Sequence, residues 1–166
     1  MNLQRFAALP NALKPGILVT ILFSMILTSA AHVKEGETLG GGWFFWLTIV
    51  FQFVFMIVVC ILFMFEAEQF LTMGRDAWPV LEMGYSAAFF GSTVIDVFIV
   101  MRWVNAGTNY TFVAAVFCLI LLALFHAASG ALMYKIWRGM VRSGTTQNPT
   151  SQHVQPGDIG NMHPGV

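Results

Sequence analysis

WPVLEMGYSAAFFGSTVIDVFIVMRW, residues 78–103, is long and apolar enough to cross a bilayer, yet it carries Glu82 and Asp96. A carboxylate at the centre of a membrane helix costs about 2.5–3.5 kcal/mol on insertion scales. If this stretch spans a membrane, both acids need partners on neighbouring helices. The reading of the chain therefore turns on whether further spans surround it.

The composition says that they do. Of 166 residues, 57% are hydrophobic and only 10% charged, with 16 Phe and a mean hydropathy of +0.73. Soluble domains carry roughly 25% charged residues, so this chain lacks the polar surface to coat a globule in water. Spanning a hydrocarbon core of about 30 Å takes about 20 apolar residues. Working outward from 78–103, four segments meet or approach that length: 15–33, 42–65, 78–104 and 110–137. The second is the most uniformly apolar, and Trp43 and Trp46 stand at one end of it. Trp78 and Trp103 bracket the third as an interfacial belt does. The expected fold is an all-α integral membrane four-helix bundle over residues 1–142. The first segment has a rival reading, because GILVTILFSMIL followed by TSAA resembles a signal-peptide core with a small-residue cleavage site.

Lys and Arg set the orientation. Arg5, Lys14, Arg75, Lys135, Arg138 and Arg142 fall on one side, against Lys34 and Arg102 on the other. This split places both termini in the cytoplasm. The outer loops, VKEGETLGGG and NAGTN, are then stubs too short to fold. In the inner link, Asp76 is positioned to cap the third helix, and Pro79 sits in its first turn, where a missing N–H does no harm. The tail from Ser143 is polar, rich in Gly and Pro, and reads as a disordered cytoplasmic segment, 143–166.

Small residues mark where helices can approach closely in lipid. The first segment has Gly16, Thr20, Ser24 and Thr28 at every fourth position. The third has Gly84, Ala88, Ser92 and Asp96, with Gly91 beside them, and the fourth has Ala123, Ala127 and Ala131. These stripes are expected to pack, which puts Asp96 against a neighbour. Counted from the outer ends, Asp96 and Gln52 lie at similar depth, about 10–14 Å in, with Thr28 also in the outer third. Asp96 is therefore expected to bond Gln52 or Thr28. Glu82, one turn inside Trp78, is within reach of headgroups or of the Lys135 amine. The two carboxylates are separated by about 21 Å of helix, which excludes an acid/base pair working on one substrate.

Other chemistry is thin. Cys60 and Cys118 lie inside apolar runs and read as packing residues; Cys60, near the inner end of its helix, is at most a palmitoylation candidate. His126 sits in mid-helix without a Cys or His at ligand spacing, so a buried imidazole is expected, not a metal ligand. His153 and His163 are isolated tail residues. Asn109-Tyr-Thr matches a glycosylation pattern but abuts the membrane. No Gly-rich phosphate loop, nucleophile elbow or HExxH occurs, so neither an enzyme nor a cofactor is expected. Zero net charge without a basic cluster argues against nucleic acid.

With WPVLE opening the third helix and FVAAVFCLILLALFHAASGALMYKIWR forming the fourth, the chain resembles MARVEL-domain proteins of the chemokine-like-factor and plasmolipin group over residues 5–140. The first motif is similar to that group's Trp-Pro-Leu-(Leu/Thr)-(Asp/Glu) helix start, and the second to its Ala-Ala-x-Phe start with Tyr and basic residues at the exit. By that resemblance Glu82 is the family-type acidic position, whereas Asp96 matches none. The large Trp- and Cys-bearing loop of claudins and the Cys-rich loop of tetraspanins have no counterpart here.

The resemblance implies a non-enzymatic membrane scaffold or accessory protein. Such a protein works by lateral association with lipids, cholesterol among them, with other integral membrane proteins, or with further copies of itself. Its roles would be trafficking, sorting, stabilisation of partners or membrane apposition, at the plasma membrane or on endomembrane vesicles. Two alternatives remain: a small transporter or channel-type subunit with a polar path through Asp96, Gln52 and His126, and a junction component working by contact between cells.

Overall fold

The structure is a computed structural model that describes residues 11–65 and 78–142. The segments holding Arg5, Arg75, Asp76 and the tail beyond Arg142 lie outside the described residues. The described chain forms four helices: α1 Leu13–Ser29, α2 Gly42–Met64, α3 Trp78–Trp103 and α4 Thr111–Arg142. α2, α3 and α4 are long and apolar enough to cross a membrane, while α1 is a shorter apolar helix.

Packing closes the helices into a ring in the order α1, α2, α3, α4 and back to α1. The core runs along its axis through Ile17, Ile21, Phe45, Ile49, Met56, Val100, Phe112, Leu119 and Leu122. The outside is equally apolar, with Phe23, Phe51, Val58, Phe98, Phe117 and Leu124 all exposed. A surface of this kind fits lipid and not water.

The 17 residues of α1 span about 26 Å at 1.5 Å each. Ala30 ends α1 with its N–H on Ile26 O, and Val33 then bridges Gly107. Lys34 N donates to Ala106 O at 2.8 Å and Thr108 N to His32 O at 2.9 Å. This pairing clips the two outer connections together, so the expected helix end at residue 33 moves back to Ser29. At the other terminus α4 continues to Arg142 and not 137, running on through Gly139 with no proline to stop it.

Gly41 precedes α2 with φ of 82°, and a Cβ there would also press on Ile99. Glycine alone takes this left-handed conformation without strain. At Gly107 a Cβ would come within 2.8 Å of the Phe112 ring, so the second outer turn also requires glycine.

The small-residue stripes are only partly buried. Thr20, Ser24 and Thr28 face inward as expected, and so does Ala123. Gly84, Ala88, Gly91, Ala127 and Ala131 are exposed. The buried face of α3 is instead Glu82, Ser86, Phe89, Thr93, Asp96 and Val100. The reason is geometric. At 3.6 residues per turn a strict every-fourth spacing advances about 40° per step, so a stripe containing Asp96 faces lipid by the time it reaches Gly84. Mixed three- and four-residue steps track the core.

Trp103 also differs from expectation. Trp103 is buried at 2% exposure, with its indole N–H on Gly40 O at 2.9 Å and its ring against Phe45 and Phe112. It closes the end of the core where α3 finishes and does not sit in a lipid-facing belt.

Candidate functional site: polar groups buried between the helices

Polar side chains are buried at three levels of the bundle. At the end where α3 begins, Glu82 and Lys14 form an ion pair at 2.8 Å with both side chains wholly buried. Glu82 Oε1 also accepts from Ser129 Oγ at 2.8 Å, and Oε2 accepts from the Trp78 indole N–H at 2.8 Å. Lys14 donates further to Asn11 Oδ1 at 3.2 Å and lies 4.4 Å from the centre of the Phe63 ring. One carboxylate thus joins α1, α3 and α4, and its cation touches α2.

This cluster corrects the expected partner of Glu82. Lys135 is exposed, and the amine that neutralises Glu82 is Lys14, which the sequence presents as a flanking charge. The first turn of α1 swings it inward beside Glu82. The same cluster explains the WPVLE stretch. Trp78 and Glu82 are one helical turn apart, so the indole N–H reaches the carboxylate along a single face. Pro79 between them occupies the first turn without breaking a helix bond.

The second level lies between α2 and α3, toward the end where α3 finishes. Thr48 Oγ1 donates to Asp96 Oδ2 at 2.7 Å. Gln52 Nε2 donates to Ser92 Oγ at 3.2 Å, and Thr93 Oγ1 to Gln52 Oε1 at 3.3 Å. The expected bond from Asp96 to Gln52 or Thr28 is therefore not formed. Thr28 donates to Ser24 O within its own helix. Thr48 lies six residues from the start of α2 and Asp96 seven from the end of α3, which sets them level in an antiparallel pair. Gln52 is one turn deeper and meets Ser92 and Thr93 by the same count. Thr48 Oγ1 also lies within reach of Phe44 O and Phe45 O of its own helix, the usual bond of a helical Thr, so only the register of α2 and α3 singles it out as the partner of Asp96. Asp96 Oδ1 has no hydrogen-bond partner among the described residues.

The third level is midway along the α3–α4 contact. His126 is fully buried, its ring 5.5 Å from that of Phe89. Neither of its nitrogens, nor Ser86 Oγ, has a hydrogen-bond partner among the described residues. Both line a groove of about 370 Å³ on one side of the α3–α4 contact, walled by Ala87, Ala127, Gly130 and Ala131. The groove does not extend to Asp96 or Gln52. Thr48 and Asp96 thus form one pair, Gln52 with Ser92 and Thr93 a second group one turn deeper, Glu82 a third, and His126 stands apart from all of them.

Among the described residues no three His, Cys, Asp or Glu side chains converge to hold a metal ion. Cys60 and Cys118 are half-buried and unpaired with each other.

No known protein family, curated protein or solved structure matches this chain. What the fold defines is an all-helical protein with spans fit for a membrane.

Proposed function

We propose that this chain is a four-span, MARVEL-like membrane protein with both termini cytoplasmic. It acts without catalysis, by lateral association with lipids or with other membrane proteins. The observation that carries this reading is the Lys14–Glu82–Ser129–Trp78 cluster. The only fully buried charge pair among the described residues is consumed in holding helices together, and leaves no free acid or base at that level. The Trp-Pro opening and acidic residue on which the family resemblance rests are both members of that cluster.

Two further points support the four-span arrangement. α1 begins beside Glu82 and its extension pairs with the α3–α4 turn, so it covers the same height as its neighbours. Lys14 and the basic end of α4 lie at one end of the bundle, with Lys34 and Arg102 at the other. Lateral association fits a molecule whose exposed area is mostly apolar helix and whose outer connections are short.

The transporter alternative requires Asp96, Gln52 and His126 to share a path, and the separation of His126 from the other two speaks against it. Proteoliposomes containing the purified chain test both readings. The scaffold reading expects proton and cation flux no greater than in empty liposomes, together with a reproducible set of membrane neighbours by proximity labelling in cells. Flux that disappears in Asp96→Asn overturns it in favour of transport.

A further inference from the structure

Where α3 finishes, its last turn and the connection between α1 and α2 enclose a cavity of about 210 Å³. Glu37 and Thr38 line it from the connection, Arg102 and Asn105 from the end of α3, with the buried Trp103 and Ala106 between them. The two walls are tied together beneath the opening. The Trp103 indole N–H donates to Gly40 O at 2.9 Å, Lys34 N to Ala106 O at 2.8 Å and Lys34 Nζ to Asn105 O at 2.7 Å. The fold itself therefore sets the width of the cavity. Glu37 and Arg102 line one space with opposite charges, yet among the described residues no ion pair joins them and neither side chain has another partner.

A space this small falls below the roughly 300–1,000 Å³ of pockets for drug-sized ligands and suits a single polar group. A guanidinium beside a carboxylate complements a zwitterion. The Arg fork matches a phosphate, and a carboxylate accepts from an ammonium. The surroundings indicate what that zwitterion is attached to. Phe98 and Ile95, one and two turns before Arg102 on the same face of α3, are both exposed. Arg102 thus stands at the end of an apolar stripe along which acyl chains can lie.

We propose that this cavity binds the headgroup of a phospholipid that carries a phosphate and a primary amine, as phosphatidylethanolamine does, a proposal that rests on the membrane-spanning reading above. The phosphate pairs with Arg102, the ammonium donates to Glu37, and the acyl chains follow Phe98 and Ile95. The order of groups in the lipid, chain then phosphate then amine, matches the order of stripe, Arg102 and Glu37. Related headgroups fit less well. A choline has no N–H to donate to Glu37, a glycerol leaves that carboxylate without a cation, and a serine brings a second carboxylate towards it.

Native mass spectrometry of the purified full chain in detergent reads the affinities, with phosphatidylethanolamine, phosphatidylcholine, phosphatidylglycerol and phosphatidylserine of identical acyl chains as probes. Phosphatidylethanolamine should bind about tenfold tighter than the others, and Arg102→Gln and Glu37→Gln should each remove that margin, as expected for the loss of one charge-assisted hydrogen bond. Both side chains are exposed, so thermal unfolding of the two variants should match the native chain. The exchange Glu37→Arg/Arg102→Glu keeps both charges but reverses their order, and should bind no better than the single variants. Free phosphoethanolamine at the same concentration should not displace the lipid.

Equal affinity for all the lipids overturns the proposal, since the chain would then read acyl chains alone. Full binding by the exchanged chain overturns it too, by showing that the two residues serve each other and not a headgroup. Displacement by free phosphoethanolamine would overturn the lipid as the source of the zwitterion. Alkaline carbonate extraction of cell membranes reports separately on the membrane-spanning reading. A chain that resists extraction but shows no headgroup preference refutes this proposal alone, whereas a chain released by carbonate refutes both.

Discussion

Removing one half of the Lys14–Glu82 pair should damage the bundle far more than removing both halves. Lys14→Met leaves Glu82 with its bonds from Ser129 and Trp78 but without a counter-charge, in a site where both side chains are 0% exposed. Orphaning a buried charge in this way costs about 3–5 kcal/mol. Glu82→Gln strands the ammonium instead, though Asn11 Oδ1 and the Phe63 ring remain beside it, which places its cost near the lower end of that range. The double variant Lys14→Met/Glu82→Gln carries no charge. Its amide can still accept from the indole and bond the Ser129 hydroxyl, so its cost should be near that of one hydrogen bond, about 1 kcal/mol. The coupling between the two positions is then about 5 kcal/mol or more. Equilibrium unfolding in mixed micelles, followed by Trp fluorescence over an SDS titration, gives all four corners of the cycle. The coupling should also be insensitive to ionic strength, since a pair this deep is hardly screened. Additive costs, or a coupling that vanishes in high salt, would show that Lys14 and Glu82 are solvated and that the cluster does not hold the helices.

Further outcomes follow from the other levels. Asp96→Asn keeps an acceptor for Thr48 and should unfold close to the native chain, whereas Asp96→Leu loses a bond of about 0.6–1.7 kcal/mol and overpacks at about 1–3 kcal/mol; equal stability of the two in the same titration would show that residue 96 faces lipid. Ala88→Leu, on the exposed face of α3, should change stability by less than about 0.5 kcal/mol, and Ala123→Leu, at 7% exposure, should lose about 1–3 kcal/mol; the reverse order in a thermal melt would contradict the buried face assigned here. Tags at both ends should resist external protease in intact cells, and cleavage of the C-terminal tag would reverse the orientation.

The sequence by itself determined an all-helical chain with segments fit for a membrane, the four helices of the described residues and the limits of α2 and α3 to within a residue. Low charge and runs of about 20 apolar residues admit few alternatives, because in hydrocarbon a backbone must satisfy its hydrogen bonds within a helix. It also marked Glu82, Asp96, Gln52 and His126 as buried polar groups that need an account. Which faces meet was decided only by the tertiary structure. In a membrane helix apolar residues point both to lipid and to the core, so hydropathy has no direction, and the every-fourth stripes through Gly84 and Ala131 gave a false one. Partner choice was beyond reach for the same reason: Lys14 looked like a flank until α1 turned it onto Glu82. For Asp96, Thr48 became the partner only once the antiparallel register of α2 and α3 set the two level. Hydrogen bonds across helices depend on rotation and register to within a fraction of a turn, and the sequence specifies these only through the packing of the whole bundle.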